Sequence, residues 1–395
     1  MKKTFFIWLT LLLIAPVTSN SIEKINPEGD ENTSPKKHEI IGPYLQNMTN
    51  KTVSVCWATR EGTTTITNAD GSTKKVNRYT EHQTILSGLE PGKKYTYDIF
   101  NDGTDRGKGS FTTFPKGTEP FHFVVLGDTR SRHKVHQKVV NKIIKEDPLF
   151  VINTGDLVGN GNRISDWEHF FDINKDLIRN VPYFTVLGNH EQNSDNYFNF
   201  FDLPGNESYY FFTVGDALFI VLDMEGENIP TPAYLKISEE RENFWNNIGK
   251  EYFEKEKQWL ENVLTLNKSA GYIFVMFHPT WYSVKKSRTE EAALRRKFWG
   301  DIFERHHVTA VLNGHDHYYH HARHGGVDYI VTAGGGAPLY KIDAIQPETV
   351  KAVSIEHYMH ISINETEAVM KAIDINGNLI EEIKVPRREK AEVNE

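Results

Sequence analysis

The 395-residue chain has a single cysteine, Cys56, so no intrachain disulfide can brace it and no lipid-attachment cysteine follows its N-terminal apolar stretch. Cys56 sits in the strand-like run Val53-Ser54-Val55-Cys56-Trp57, where it reads as a small buried hydrophobe. Long apolar runs are also missing. Phe5 to Val17 is too short for a comfortable span, and no later window approaches the roughly 20 apolar residues a spanning helix needs. Basic blocks are absent too: 45 Lys and Arg face 53 Asp and Glu, a formal charge of -8. That balance argues against a nucleic-acid scaffold, which relies on clustered cations to displace counterions. No internal repeat is found.

What is present begins with an export pattern, Lys2 and Lys3, then Phe5 to Val17, then Thr18-Ser19-Asn20. The expectation is a signal peptide over 1–19, cleaved near Ser19, and a secreted or periplasmic mature protein. Residues 20–37, with Pro27, Gly29, Asp30 and Pro35, carry too few apolar groups to fold and predict a disordered linker. Over 38–116, short β-rich pieces at Lys51 to Thr59, Thr63 to Thr67, Gln83 to Leu86 and Lys94 to Phe100 alternate with turns at 68–71, 91–92 and 101–103. Strands so closely spaced predict a small β-sandwich.

After Gly117 the period changes. Val135, Val139, Val140, Ile143 and Ile144 form a helical stripe halted at Asp147-Pro148, and Phe244 to Leu266 and Leu294 to Phe303 repeat the pattern. Strands alternating with helices predict a largely parallel core sheet. Strand-like pieces at His357 to Ile363, Glu367 to Ile375 and Leu379 to Val385, with an Asn376-Gly377-Asn378 turn, predict antiparallel additions to the same domain. That domain runs over 117–388, and 389–395 is a charged tail.

Five motifs stand at the ends of apolar runs: Gly127-Asp128, Gly155-Asp156, Gly188-Asn189-His190-Glu191, Phe277-His278-Pro279 and Gly314-His315-Asp316-His317. Their runs, Phe121 to Leu126, Phe150 to Asn153, Tyr183 to Leu187, Tyr272 to Met276 and Val308 to Leu312, read as buried strands. In open α/β sheets, ligand sites form beyond the carboxyl ends of strands, so these motifs can converge. Each alone has an ordinary reading: a Gly-Asp turn, an Asn-capped helix, a structural strand-end histidine. Together they supply the oxygen and imidazole donors of a two-metal hydrolytic site.

The ordered motifs resemble those of the calcineurin-like metallophosphoesterases, most closely the purple acid phosphatase branch. Ile41 to Leu45 and Leu86 to Tyr97 are similar to the fibronectin-III-like domain preceding the catalytic domain in that branch. The resemblance implies an αββα sandwich of α/β class over 117–388 behind a small all-β fibronectin-III-like sandwich. It further implies that Asp128 and His317 bind a first metal, that Asp156 bridges, that Asn189, His278 and His315 bind a second, and that His190 is the general acid. The implied function is that of an exported phosphatase using two metal ions (Fe, Mn or Zn) and metal-bound hydroxide on small phosphomonoesters. The alternatives are a phosphodiesterase or nucleotidase with the same site, or an inactive secreted binding protein.

This chain departs from the family pattern. Gly159 stands where purple enzymes carry a tyrosine, which predicts a colourless protein. Arg130 stands where the superfamily usually places a histidine, and its guanidinium fork suits substrate phosphate. Beyond His278, Lys285, Lys286 and Arg288 read either as a cationic rim or as a solvated basic face. His133 is a candidate spare ligand.

Overall fold

Alternating burial shapes the N-terminal strands, as in Lys94–Asn101, where Tyr95, Tyr97 and Ile99 point inward and their neighbours outward. The protein is described here by a computed structural model over residues 40–67, 73–101, 103–224 and 250–389. The expected leader at 1–19, the linker at 20–37 and the tail beyond Glu389 lie outside the described residues.

Strands β1 (Ile40–Gln46), β2 (Val53–Thr67) and β3 (Thr73–Leu86) form one antiparallel sheet, and β4 (Lys94–Asn101) and β5 (Thr104–Thr112) form a hairpin. The two pieces expected at Lys51 to Thr59 and Thr63 to Thr67 are a single strand, with a register shift between Arg60 and Gly62 absorbing the interruption. The polar run Thr73 to His82, not expected as a strand, pairs with β2 along its length.

The remaining strands are β6 (Phe121–Leu126), β7 (Val151–Asn153), β8 (Tyr183–Thr185), β9 (Tyr210–Val214), β10 (Ala217–Val221), β11 (Tyr272–Phe277) and β12 (Ala310–Asn313). They are followed by β13 (Tyr319–His324), β14 (Val327–Thr332), β15 (Thr349–Val353), β16 (His357–Ile363), β17 (Glu367–Asp374) and β18 (Leu379–Pro386). All five expected apolar runs are strands, but they do not share one parallel sheet. A six-stranded sheet has the order β18-β17-β16-β6-β7-β8, and a seven-stranded sheet has the order β15-β13-β14-β12-β11-β10-β9. Only part of each sheet is parallel, β6 to β8 at one end of the first and β10, β11, β12 and β14 in the middle of the second. The C-terminal strands join β6 antiparallel, as their hairpin pattern predicts.

The two sheets stack face to face with helices outside. Along β11, Tyr272, Phe274 and Met276 enter the core between the sheets, whereas Ile273, Val275 and Phe277 enter a second core. That second core contains Leu260 and Leu264 of the helix Lys250–Leu266. Burial on both faces is why these strands are apolar throughout. On the six-stranded side, helix α1 (His133–Glu146) packs against α2 (Ile164–Ile178). Helix α1 ends as expected, at Asp147 in a left-handed cap. Ile144 and Leu294, both assigned to apolar stripes in the sequence, are exposed. Among the described residues no helix is long and apolar enough to cross a membrane.

The N-terminal strands share the inner core rather than standing apart. Phe114 packs against Phe150, Phe184 and Phe212 with ring centroids 5.5 to 6.3 Å apart. Tyr44 donates to the Phe200 carbonyl at 2.6 Å, Gln46 to the Tyr183 carbonyl at 2.9 Å, and Tyr97 to the Arg179 carbonyl at 2.8 Å.

Candidate metal centre

Every candidate ligand sits just past the end of a strand in a parallel part of its sheet: Asp128 after β6, Asp156 after β7, Asn189 and His190 after β8, His278 after β11, His315 and His317 after β12. To turn there, Asp128, Asp156 and His315 adopt left-handed backbones, with φ of 56°, 57° and 69°. Non-glycine residues rarely do so, and such strain concentrates at functional sites. Gly314 permits the close approach of the two sheets' loops. A Cβ there would lie 2.6 Å from Thr154 O and 2.7 Å from His278 Nδ1.

The side chains converge. Ligand atoms of Asp128, Asp156 and His317 all lie within 4.8 Å of one another. A second group is linked through short contacts: His278 Nε2 is 3.3 Å from Asp156 Oδ1, His315 Nδ1 is 3.2 Å from His278 Nε2, and His315 Nδ1 is 3.1 Å from Asn189 Oδ1. Asp156 thus stands between both groups. The ring tautomers follow from the carbonyls they face, because a carbonyl only accepts. His278 Nδ1–H donates to Thr154 O at 2.8 Å, His317 Nδ1–H to Pro338 O at 2.7 Å, and His190 Nδ1–H to Gly159 O at 2.7 Å. Each of the three therefore presents a bare Nε2 to the cleft, the arrangement in which an outer hydrogen bond orients a metal-ligating imidazole.

The residues fit cations. Buried Asp128 Oδ1 has no hydrogen-bond donor and faces the bare Nε2 of His317 at 3.2 Å. Two lone pairs opposed in a buried place cost free energy unless a positive charge lies between them. Burial raises the Asp156 carboxyl's pKa, but His278, His190 and Arg130 override it and hold the group well below the usual carboxylate range. His315 is pushed well below the ordinary imidazole value by burial, then by His278 and Arg288, and so stays neutral, as a ligand must.

Arg130 closes one side, with Nε 3.1 Å from Asp156 Oδ2 and Nη2 3.4 Å from His317 Nε2. His190 Nε2 is 3.8 Å from Asp156 Oδ2, and its backbone N–H donates to Asp156 Oδ1 at 3.0 Å. His133 is not brought in; it is exposed and stacks on His169 at 4.8 Å.

Three positioning groups escaped sequence reasoning. Glu191, quoted in its motif without a role, is fully buried and accepts from the backbone N–H groups of Gly188, Asp156 and Leu157 at 2.8 to 2.9 Å and of Val158 at 3.3 Å. Burial and the Asp156 charge push its pKa up to about 8. Arg132 donates to the Gly336 and Ala337 carbonyls at 2.9 and 2.6 Å, fixing the loop whose Pro338 carbonyl orients His317. Tyr340 stacks on His317 at 4.0 Å. The first lies in a polar stretch, Asn189-His190-Glu191-Gln192-Asn193, that gives no local sign of its burial; the other two lie apart along the chain from what they hold.

Comparison with known proteins bears on the family and the fold. The model of the calcineurin-like phosphoesterase family matches residues 121–319, about half of the chain. An uncharacterized protein of Mycobacterium tuberculosis is 23% identical over 276 residues, 59% of this chain and 49% of its own length. This chain thus spans about half the length of that curated relative. Acid phosphatase type 7 of Mus musculus is 23% identical over 358 residues, 78% of this chain and 77% of its own. A purple acid phosphatase from yellow lupin (Lupinus luteus) seeds shares the fold, with a TM-score of 0.68 at 16% identity, covering 88% of this chain and 74% of that one.

Proposed function

We propose a function from one premise: this chain belongs to the calcineurin-like phosphoesterase family. It acts as a phosphatase on small phosphomonoesters with two metal ions. Asp128 and His317 would hold one, Asn189, His278 and His315 would hold the other, and Asp156 would serve both. When bound, such a pair supplies Lewis acidity that draws charge from phosphoryl oxygens and acidifies water. Fe, Mn and Zn all accept this mixture of carboxylate, amide and imidazole donors. The observation that carries the reading is the buried, donorless Asp128 Oδ1 facing an imidazole whose other nitrogen is already committed.

The protein's own groups do the rest. Arg130, anchored on Asp156 through Nε, turns its remaining N–H groups toward the substrate's phosphate. His190 keeps one proton on Gly159 O, so Nε2 is the atom that carries a second proton to the leaving oxygen as the P–O bond breaks. That atom lies 3.8 Å from Asp156 Oδ2, at the edge of the ligand cluster. With Gly159 in place of a tyrosine, the loaded protein is colourless. Residues 1–19 direct export, and 38–116 form a fibronectin-III-like module ahead of the catalytic part.

The test pairs elemental analysis with hydrolysis of p-nitrophenyl phosphate and of its bis ester. Expected are two metal equivalents, faster monoester hydrolysis, and a loss of about a thousandfold in kcat/KM in Asp156→Asn, roughly 4 kcal/mol. Faster diester hydrolysis would replace the monoesterase reading with a phosphodiesterase. Absence of metal together with identical wild-type and variant rates would leave a binding protein instead.

A further inference from the structure

One cluster on the rim extends outward from the ligand His317 to groups that the chemistry above does not use. The His317 and Tyr340 rings stack with centroids 4.0 Å apart and planes 24° apart, and the Tyr340 backbone N–H donates to His317 O at 2.9 Å. Lys285 Nζ lies 3.5 Å from the centre of the same Tyr340 ring. Two groups this close to a ring cannot share one face, so Tyr340 is sandwiched between imidazole and ammonium. Its faces are filled. Its hydroxyl, which makes no hydrogen bond among the described residues, is left for a ligand.

Two cations border Tyr340 here, and they differ in commitment. Arg288, 5.2 Å from the ring, is engaged: its Nη1 reaches His315 O at 2.8 Å and buried Asp316 Oδ1 at 2.5 Å. Lys285 has no carboxylate within ion-pair distance among the described residues. A cation–π contact holds it in place without neutralising it. Partial burial and then the Arg288 charge lower its pKa, and the more distant Asp316 and Asp343 only partly offset them, so an incoming anion would stabilise the ammonium further. Arg130 also stands beside His317, with Nη2 3.4 Å from Nε2. Three donors therefore border the metal-ligand cluster here, Arg130 and Tyr340 against His317 and Lys285 against the Tyr340 ring.

We propose that Lys285 and the Tyr340 hydroxyl form a second-anion subsite, selecting substrates whose scissile phosphoryl group carries another phosphoryl group beside it. A tetrahedral group with three terminal oxygens can accept from the ammonium and the phenol together, and one bridging oxygen gives it the reach of a single aromatic ring. This subsite rests on the phosphatase reading for its place in a reaction, but its binding can be read without turnover.

The experiment titrates methylphosphonate and methylenediphosphonate, neither hydrolysable, into Mn-loaded protein by calorimetry, with p-nitrophenyl phosphate hydrolysis followed in parallel. Expected is at least tenfold tighter binding of the diphosphonate by the wild type. Lys285→Ala should abolish that advantage, Tyr340→Phe should reduce it, and Lys285→Arg should keep most of it. Equal binding of both ligands by the wild type, or an advantage that survives in Lys285→Ala, overturns the subsite. Absent hydrolysis with the advantage intact would sink the phosphatase reading and leave the subsite standing.

Discussion

The two stacked sheets contribute unlike chemistry to the cleft. Strand ends of the six-stranded sheet bring oxygens, from Asp128, Asp156 and Asn189, whereas those of the seven-stranded sheet bring nitrogens, from His278, His315 and His317. They are also held differently. The oxygen side is organised by one buried carboxylate, Glu191, gathering four backbone N–H groups. The nitrogen side borrows acceptors, and some of these come from across the seam: His278 donates to Thr154 O at 2.8 Å and the His315 backbone to Asp128 Oδ2 at 2.9 Å. Neither sheet holds a complete donor set, so the centre is a property of their docking.

The largest break in this comparison is expected from removing the oxygen side's hub. Glu191→Ala leaves those N–H groups buried without acceptors, at about 1–3 kcal/mol for each one not rehydrated. Metal content should fall, with kcat/KM down about a hundredfold; an unchanged melting temperature with full metal occupancy would show that Glu191 organises nothing. Next in size is a wedge in the seam. Gly314→Ala places a methyl against Thr154 O and His278 Nδ1, at a cost of about 1–3 kcal/mol, and chelators should strip the variant faster than the wild type.

Acid sharpens the comparison, because each half buries a neutral histidine away from the ligands. Burial pushes His136 of α1 down to about 3 and His320 of β13 down to about 4, from 6.5. Above pH 6.5 neither the folded nor the unfolded chain protonates these groups. As pH falls below that value the unfolded chain alone takes up the proton, so each site removes up to about 1.4 kcal/mol of stability per pH unit until its folded pKa is reached. Thermal melts from pH 7 to 4 should show a shallower acid limb in His136→Gln; parallel curves would clear His136 of any part in acid unfolding. The smallest effect concerns the nitrogen side alone. Arg132→Ala frees the loop behind His317, and metal affinity should drop about tenfold, with Arg132→Lys intermediate in a chelator competition.

Much of this was legible in the sequence, and the rest failed for physical reasons. The five apolar runs and their terminal motifs could be read because buried strands and glycine turns are local properties. Their division between two sheets could not, since a strand buried on both faces carries no mark of its neighbours. Helix α2 carries an apolar stripe in Trp167, Phe170, Phe171 and Leu177, a local pattern of the same kind as that of α1. The polar strand Thr73 to His82 lacked any apolar alternation, because it is held by pairing with β2 and by Asn77 and Tyr79 reaching Glu168 at 2.5 and 2.7 Å. Tyr340 and Arg132 act through contacts made by the folded chain, which one sequence does not record.

The wedge of Phe114 among Phe150, Phe184 and Phe212 has a consequence for how the molecule faces its surroundings. A joint filled by interlocked rings is no swivel, so the early strands act as a fixed bracket. Whatever surface or partner grips that bracket also decides the direction in which the catalytic mouth opens.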